Sequence, residues 1–227
     1  MKNLKLAAVC LSCLTMTGCS ALNFSVEGLI NAPKLTSEQS EIHQALIESV
    51  GSNITLKYPK NGEYRSAYVI ANIDDEPTDE AMVFYEYTSN GSEEDGLRVN
   101  ILDKDEDGKW YSVKELAGAG TDIDQVIISP MGSNNQTDVF VGYQNLTNDE
   151  KTMEIYSYTD EDFKRVALDT YSVLEPLDIN NDGYIELITI QRSTNNDTGA
   201  VTAKASMLNM KNNEITRGEN VDMCDFY

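Results

Sequence analysis

A chain of 227 residues, 41% of them hydrophobic, is long enough to bury a sizeable core in one or two domains. Its 38 Asp and Glu against 17 Lys and Arg leave a formal charge of −21, which excludes nucleic acid as a partner and polybasic adhesion to an anionic bilayer. With a single histidine, His43, a histidine-built zinc site and a Ser-His-Asp triad are excluded as well.

The first eighteen residues read as a signal peptide. Lys2 and Lys5 supply a positive start, and residues 6–16 form an apolar run too short to span a bilayer as a helix. The small residues Thr17 and Gly18 stand directly before Cys19. This resembles a bacterial lipobox, although Met16 stands where Leu is more usual; the resemblance implies that Cys19 is diacylated and becomes the mature N-terminus. Two acyl chains give stable anchoring where one does not. Of the four cysteines, Cys10 and Cys13 leave with the signal and Cys19 carries lipid, so only Cys224 remains and no disulfide framework is available. The expected address is the outer face of the cell membrane, with the lipid as the membrane attachment.

Residues 19–35 read as a tether after the lipidated cysteine. Residues 36–63 hold a helix and a connector. The capping-box pattern Thr36-Ser-Glu-Gln39 precedes Ile42, Ala45, Leu46 and Val50 at helical spacing, and Gly51 is a natural stop, which predicts a helix over 37–50.

From Tyr64 onward, apolar and β-branched runs alternate with Asp-, Asn- and Gly-rich turns, the pattern of an all-β region over 64–227. The runs fall into three similar cycles of four strands. They are expected near 67–73, 81–87, 97–102 and 109–113, then near 125–129, 138–143, 152–158 and 163–168, then near 171–177, 184–191, 201–208 and 214–217. Glu80, Asp138 and Glu186 occupy comparable places, so the period is about 50 residues, as in β-propeller blades. The central strand of each cycle is apolar on both faces, as a strand sandwiched between neighbouring blades must be. Three blades do not close a ring, so a partial or open propeller is predicted. An open stack requires a cap on its free faces, an oligomer, or further chain.

The segment Asp178-Ile-Asn-Asn-Asp-Gly-Tyr-Ile-Glu186 is the most informative. A hard cation such as Ca2+ takes six to eight oxygens. Asp178, Asn180 and Asp182 alternate so that their oxygens converge, Gly183 permits the sharp turn, the Tyr184 carbonyl adds a ligand and Glu186 closes the shell. An EF-hand is rejected, because its twelfth position would be Thr189 and the residues after the loop favour a strand. The pattern, loop then strand, resembles the FG-GAP/VCBS repeats of integrin-α-like propellers. That likeness extends over about 67–219 by repeat organisation, with the third loop alone intact. In the first, Asn72, Asp74, Glu76 and Glu80 hold the equivalent places, but Pro77 replaces Gly. In the second, Pro130, Gly132, Asn134 and Asp138 leave one carboxylate. The hairpin 103–108 has Asp spacing and Gly108, yet Tyr111 stands at its ninth position, so it reads as a solvated turn. The whole chain is similar to VCBS-repeat lipoproteins of clostridial Gram-positive bacteria, which implies a surface lipoprotein without an assigned activity.

No P-loop, GxGxxG, GxSxG or HExxH motif is present, so no catalytic residue is assigned and a non-enzymatic role is expected. The leading expectation is a lipid-anchored extracytoplasmic protein whose calcium-stabilised repeats serve binding or scaffolding, with a protein or carbohydrate ligand at the cell surface. The alternatives are a polysaccharide-active enzyme of the envelope and an accessory domain of a longer chain.

Overall fold

Three antiparallel sheets, stacked face against face, account for nearly all of the regular structure in a computed structural model of the chain. It describes residues 35–74, 76–88, 96–131, 136–145, 150–194, 197–211 and 214–223. The described residues from Ser37 onward belong to one compact unit. Cys19, where lipidation is expected, lies outside the described residues, as do Gly132, Asn134 and Cys224. Among the described residues no helix is long and apolar enough to cross a membrane.

Helix α1 (Ser37–Val50) opens this unit and ends at Gly51, whose φ of 86° suits glycine and whose N–H donates to the Ile47 carbonyl. The first sheet contains β1 (Ile54–Leu56), β2 (Tyr68–Ala71), β3 (Glu80–Tyr87), β4 (Leu97–Lys104) and β5 (Trp110–Ala117). The second contains β6 (Asp122–Ser129), β7 (Asp138–Gln144), β8 (Lys151–Thr159) and β9 (Asp162–Tyr171). The third contains β10 (Val173–Leu177), β11 (Glu186–Thr194), β12 (Val201–Lys211), β13 (Glu214–Arg217) and β14 (Val221–Met223). Among the described residues the chain is thus all-β apart from α1, a propeller-like array of three open blades.

Twelve strands follow the anticipated cycles, and two were not anticipated. β1 pairs with Tyr85–Tyr87 and β2 with Glu80–Val83, so the two lie end to end along one edge of β3. β13 and β14 share one edge of β12 in the same way. A three-residue strand leaves almost no periodic signal, which is why both were missed. Tyr171, expected to open the third cycle, instead ends β9, because its hydroxyl is held by Asp124 in the interior of the second sheet.

Side chains alternate between the two faces of each strand, and both faces of the first two sheets are used. One face of the first sheet packs Ala81, Val83, Tyr85 and Trp110 against Ile42, Ala45 and Leu46 of α1. Its other face packs Met82, Phe84 and Val99 against Val139, Val141 and Tyr156 of the second sheet. The far face of the second sheet packs Phe140, Met153 and Tyr171 against Leu174, Leu187 and Leu208 of the third. Each fully buried aromatic such as Phe84 or Phe140 contributes about 1.5–3 kcal/mol relative to exposure. β3 and β7 are buried on both faces, as a sandwiched strand should be. β11 is not: Leu187 and Thr189 are buried, while Ile188 and Ile190 on the opposite face stay half-exposed because no sheet covers them among the described residues.

Candidate metal centre

The loop between β10 and β11 is shaped by its own side chains. Asp178 accepts from the backbone N–H groups of Asp182 at 3.1 Å and Gly183 at 3.0 Å. Asn180 Oδ1 accepts from Asp182 N at 2.9 Å, and Asp182 Oδ1 accepts from Tyr184 N at 2.9 Å. Gly183 has φ of 89° and Asn181 φ of 58°, two left-handed residues that fold the loop back on itself. Glu186, at the start of β11, accepts from Ile179 N at 2.9 Å and so closes the loop over seven residues.

Asn180 Nδ2 lies 3.0 Å from Asp182 Oδ2 and 3.5 Å from Glu186 Oε1. A donor group thus bridges the two carboxylates at the point where positive charge is most favoured. The side chains of Asp178, Asn180, Asp182 and Glu186 are gathered in this one loop by these bonds, and carboxylate and amide oxygens are the ligand types a hard cation takes. As they stand, no three His, Cys, Asp or Glu side chains among the described residues form a ready-made cage. Many of the loop's oxygens are engaged by its own N–H groups. Tyr184 follows the turn, and the next N–H, that of Ile185, donates to the Pro130 carbonyl at 3.0 Å, tying the loop to the second sheet.

The closing hydrogen bond recurs in every blade. Ile73 N donates to Glu80 at 2.8 Å, Met131 N to Asp138 at 3.0 Å and Ile179 N to Glu186 at 2.9 Å, each across seven residues. The landmarks aligned in the sequence are therefore one structural position used three times. The loops themselves differ. In the first, the Asn72 amide is spent on the Glu76 and Thr78 carbonyls, and Asp74 accepts from Glu76 N. In the second, Asp138 also accepts from the Ser157 hydroxyl. The decoy at 103–108 is a hairpin turn between β4 and β5 in which Asp105 accepts from the N–H groups of Asp107 and Lys109.

Two buried carboxylates, Asp124, which belongs to no motif in the sequence, and the repeat landmark Glu80, are shifted in opposite directions. Asp124 is enclosed in β6, where Asn61, Lys151 and Tyr171 donate to it at 2.8, 2.7 and 2.6 Å. Burial opposes its charge, but those three donors outweigh burial and hold its carboxyl below the usual aspartate range. Glu80 is the reverse. Burial pushes its carboxyl up to about 7, the Ile73 N–H partly offsets this, and the Asp74 and Asp103 carboxylates add to it. A polar residue inside an apolar strand, as in Ile123-Asp-Gln-Val126, is the signal that would have marked Asp124.

A cavity of about 410 Å3 opens where the first strands of the second and third sheets approach the 61–64 segment, lined by Asn61, Tyr64, Gln125, Ile127, Leu174 and Glu175 among others. Compared with protein-family models, with curated proteins and with solved structures, the chain finds no match.

Proposed function

We propose that this is a lipid-anchored extracytoplasmic protein, held to the membrane through Cys19, whose propeller-like repeats form a binding or scaffolding module stiffened by one calcium ion. On this reading the chain is a diverged member of the FG-GAP/VCBS repeat group. The observation that carries it is the contrast among three loops that share one closing hydrogen bond. Only the third combines that bond with Asp178, Asn180, Asp182 and a left-handed Gly183. Asp178, Asn180, Asp182 and Glu186 would hold the ion with side-chain oxygens and Tyr184 with its carbonyl. Bound Ca2+ would offset the mutual repulsion of three carboxylates and fix the entry to β11 against the second sheet. The cavity between the 61–64 segment, β6 and β10 supports the binding role, since concave sites where sheets meet are the usual seats of small ligands.

Thermal unfolding with and without calcium tests this reading. With Kd on the order of 10⁻⁴–10⁻³ M, as in extracellular modules, calcium at ten times Kd adds roughly 1.4 kcal/mol, or about 3–6 °C in Tm. Asp182→Ala should abolish that shift. No shift with calcium, or an equal shift in the variant, removes calcium from the reading.

A further inference from the structure

Each of the first two sheets offers one face to the sheet that follows it. Counting two and four residues on from the closing carboxylate gives Met82 and Phe84 in the first blade, Phe140 and Gly142 in the second, and Ile188 and Ile190 in the third. Met82, Phe84 and Phe140 are at most 2% exposed because the next sheet covers them, and Glu80 and Asp138 on the same faces are 2% and 1% exposed. The third blade repeats the pattern without a covering sheet among the described residues. Its strand register puts Val173, Ile190, Ala205 and Val221 in one row, with Ile188 and Met207 in the row on one side and Ala203 and Met223 on the other. Of these, Val173, Met207 and Val221 are 36%, 37% and 65% exposed.

The opposite end of the stack is closed, since α1 covers the free face of the first sheet. Among the described residues, the open blade face that a second copy presents is therefore this same one. The charges fit that arrangement. One end of the face is acidic, with Glu175 paired to Ile188 and Glu186 paired to Leu177. The other carries Arg192, paired to Ala203, which makes no ion pair with the described residues. A two-fold axis in the plane of contact and across the strands lays the acidic end of one copy over the basic end of the other. Face-to-face sheets about 10 Å apart bring Glu175 and Arg192 within each other's reach.

We propose that this face of the third sheet is a docking surface for the same face of a second copy, forming a closed, two-fold dimer. The occupant is the identical surface because it offers a matching apolar sheet and the opposite charge at each end. In blades one and two the equivalent surface is already covered by a sheet. The inference is independent of calcium.

Sedimentation velocity on the chain from Ser37 onward, which contains all three cores, tests it under reducing conditions. A monomer–dimer equilibrium with Kd in the micromolar range is expected. The variant Met207→Glu with Val221→Glu places unpaired charge in the contact and should weaken association about 100-fold or more while unfolding at nearly the wild-type temperature. Arg192→Glu alone and Glu175→Arg alone should each weaken it about tenfold, and the two together should restore it. Restoration separates pairing between copies from damage to the fold. A monomer up to about 0.1 mM, a dimer indifferent to the Met207 and Val221 changes, an open-ended series of larger species, or a double charge variant no better than either single one overturns the proposal.

Discussion

Glu80, Asp138 and Glu186 do one job in three settings, each accepting an N–H from the start of its loop. Only Glu80 combines near-complete burial with an oxygen, Oε1, that lacks a hydrogen-bond partner among the described residues. Its folded carboxyl titrates at about 7, above the ordinary glutamate value, so the folded state holds a proton that the unfolded chain has released. The stability that this proton contributes is present below about pH 4.5 and is lost as pH rises through about 7. In urea unfolding at pH 5 and pH 8, Glu80→Gln should lose less stability than wild type between the two, by on the order of 2 kcal/mol. The same loss in both proteins would show that Glu80 is not the titrating group. Asp124 has the opposite sign. Its contribution is held above the ordinary aspartate range and fades only as pH falls below it.

At the scale of elements, the sheets are held together by more than apolar contact. Arg217 of β13 donates across to Asp169 of β9 and within its own sheet to Thr189 and Ser206. Both members of the Arg217–Asp169 pair are about a quarter exposed, so water screens the interaction. A double-mutant cycle with Arg217→Ala and Asp169→Ala should give a coupling of ~1 kcal/mol in stability, and additive losses would mean that the pair contributes nothing.

The sequence made the long strands visible because Ala81-Met-Val-Phe-Tyr85 and its counterparts are apolar runs bounded by turn residues. The candidate loop was visible for a related reason: Asp, Asn and Gly fold a loop through their own backbone bonds, and that chemistry is local. Asp124 could be flagged as a polar residue in an apolar strand, but its environment was not legible. Its partners Asn61, Lys151 and Tyr171 are distant in the chain, and only the stacking of sheets brings them together. The tight turn between β8 and β9 was legible from the strands expected on either side of it, but its backbone was not, since Asp160 and Glu161 take φ of 52° and 61° where glycine or asparagine would be usual.

For the molecule as a whole, cover is graded along the stack. Among the described residues the middle sheet has a neighbour on each face, the first has the second sheet and α1, and the third has a neighbour on one face only. In hydrogen–deuterium exchange at dilute concentration, amides of β7 and β8 should exchange most slowly and those of β11 and β14 sooner. Uniform protection across the three sheets would show a single cooperative unit. The short connector ahead of β2 has a mechanical consequence. Lys60 N and Asn61 N donate to the Ile123 and Asp124 carbonyls, and the Asn61 amide also grips the Asp124 carboxylate. Tension entering at residue 37 would first peel α1 and the three-pair ladder of β1, then meet that double clamp. From there the load passes straight into the middle sheet, the one enclosed on both sides, so a pull on the start of the unit is borne by its most protected layer.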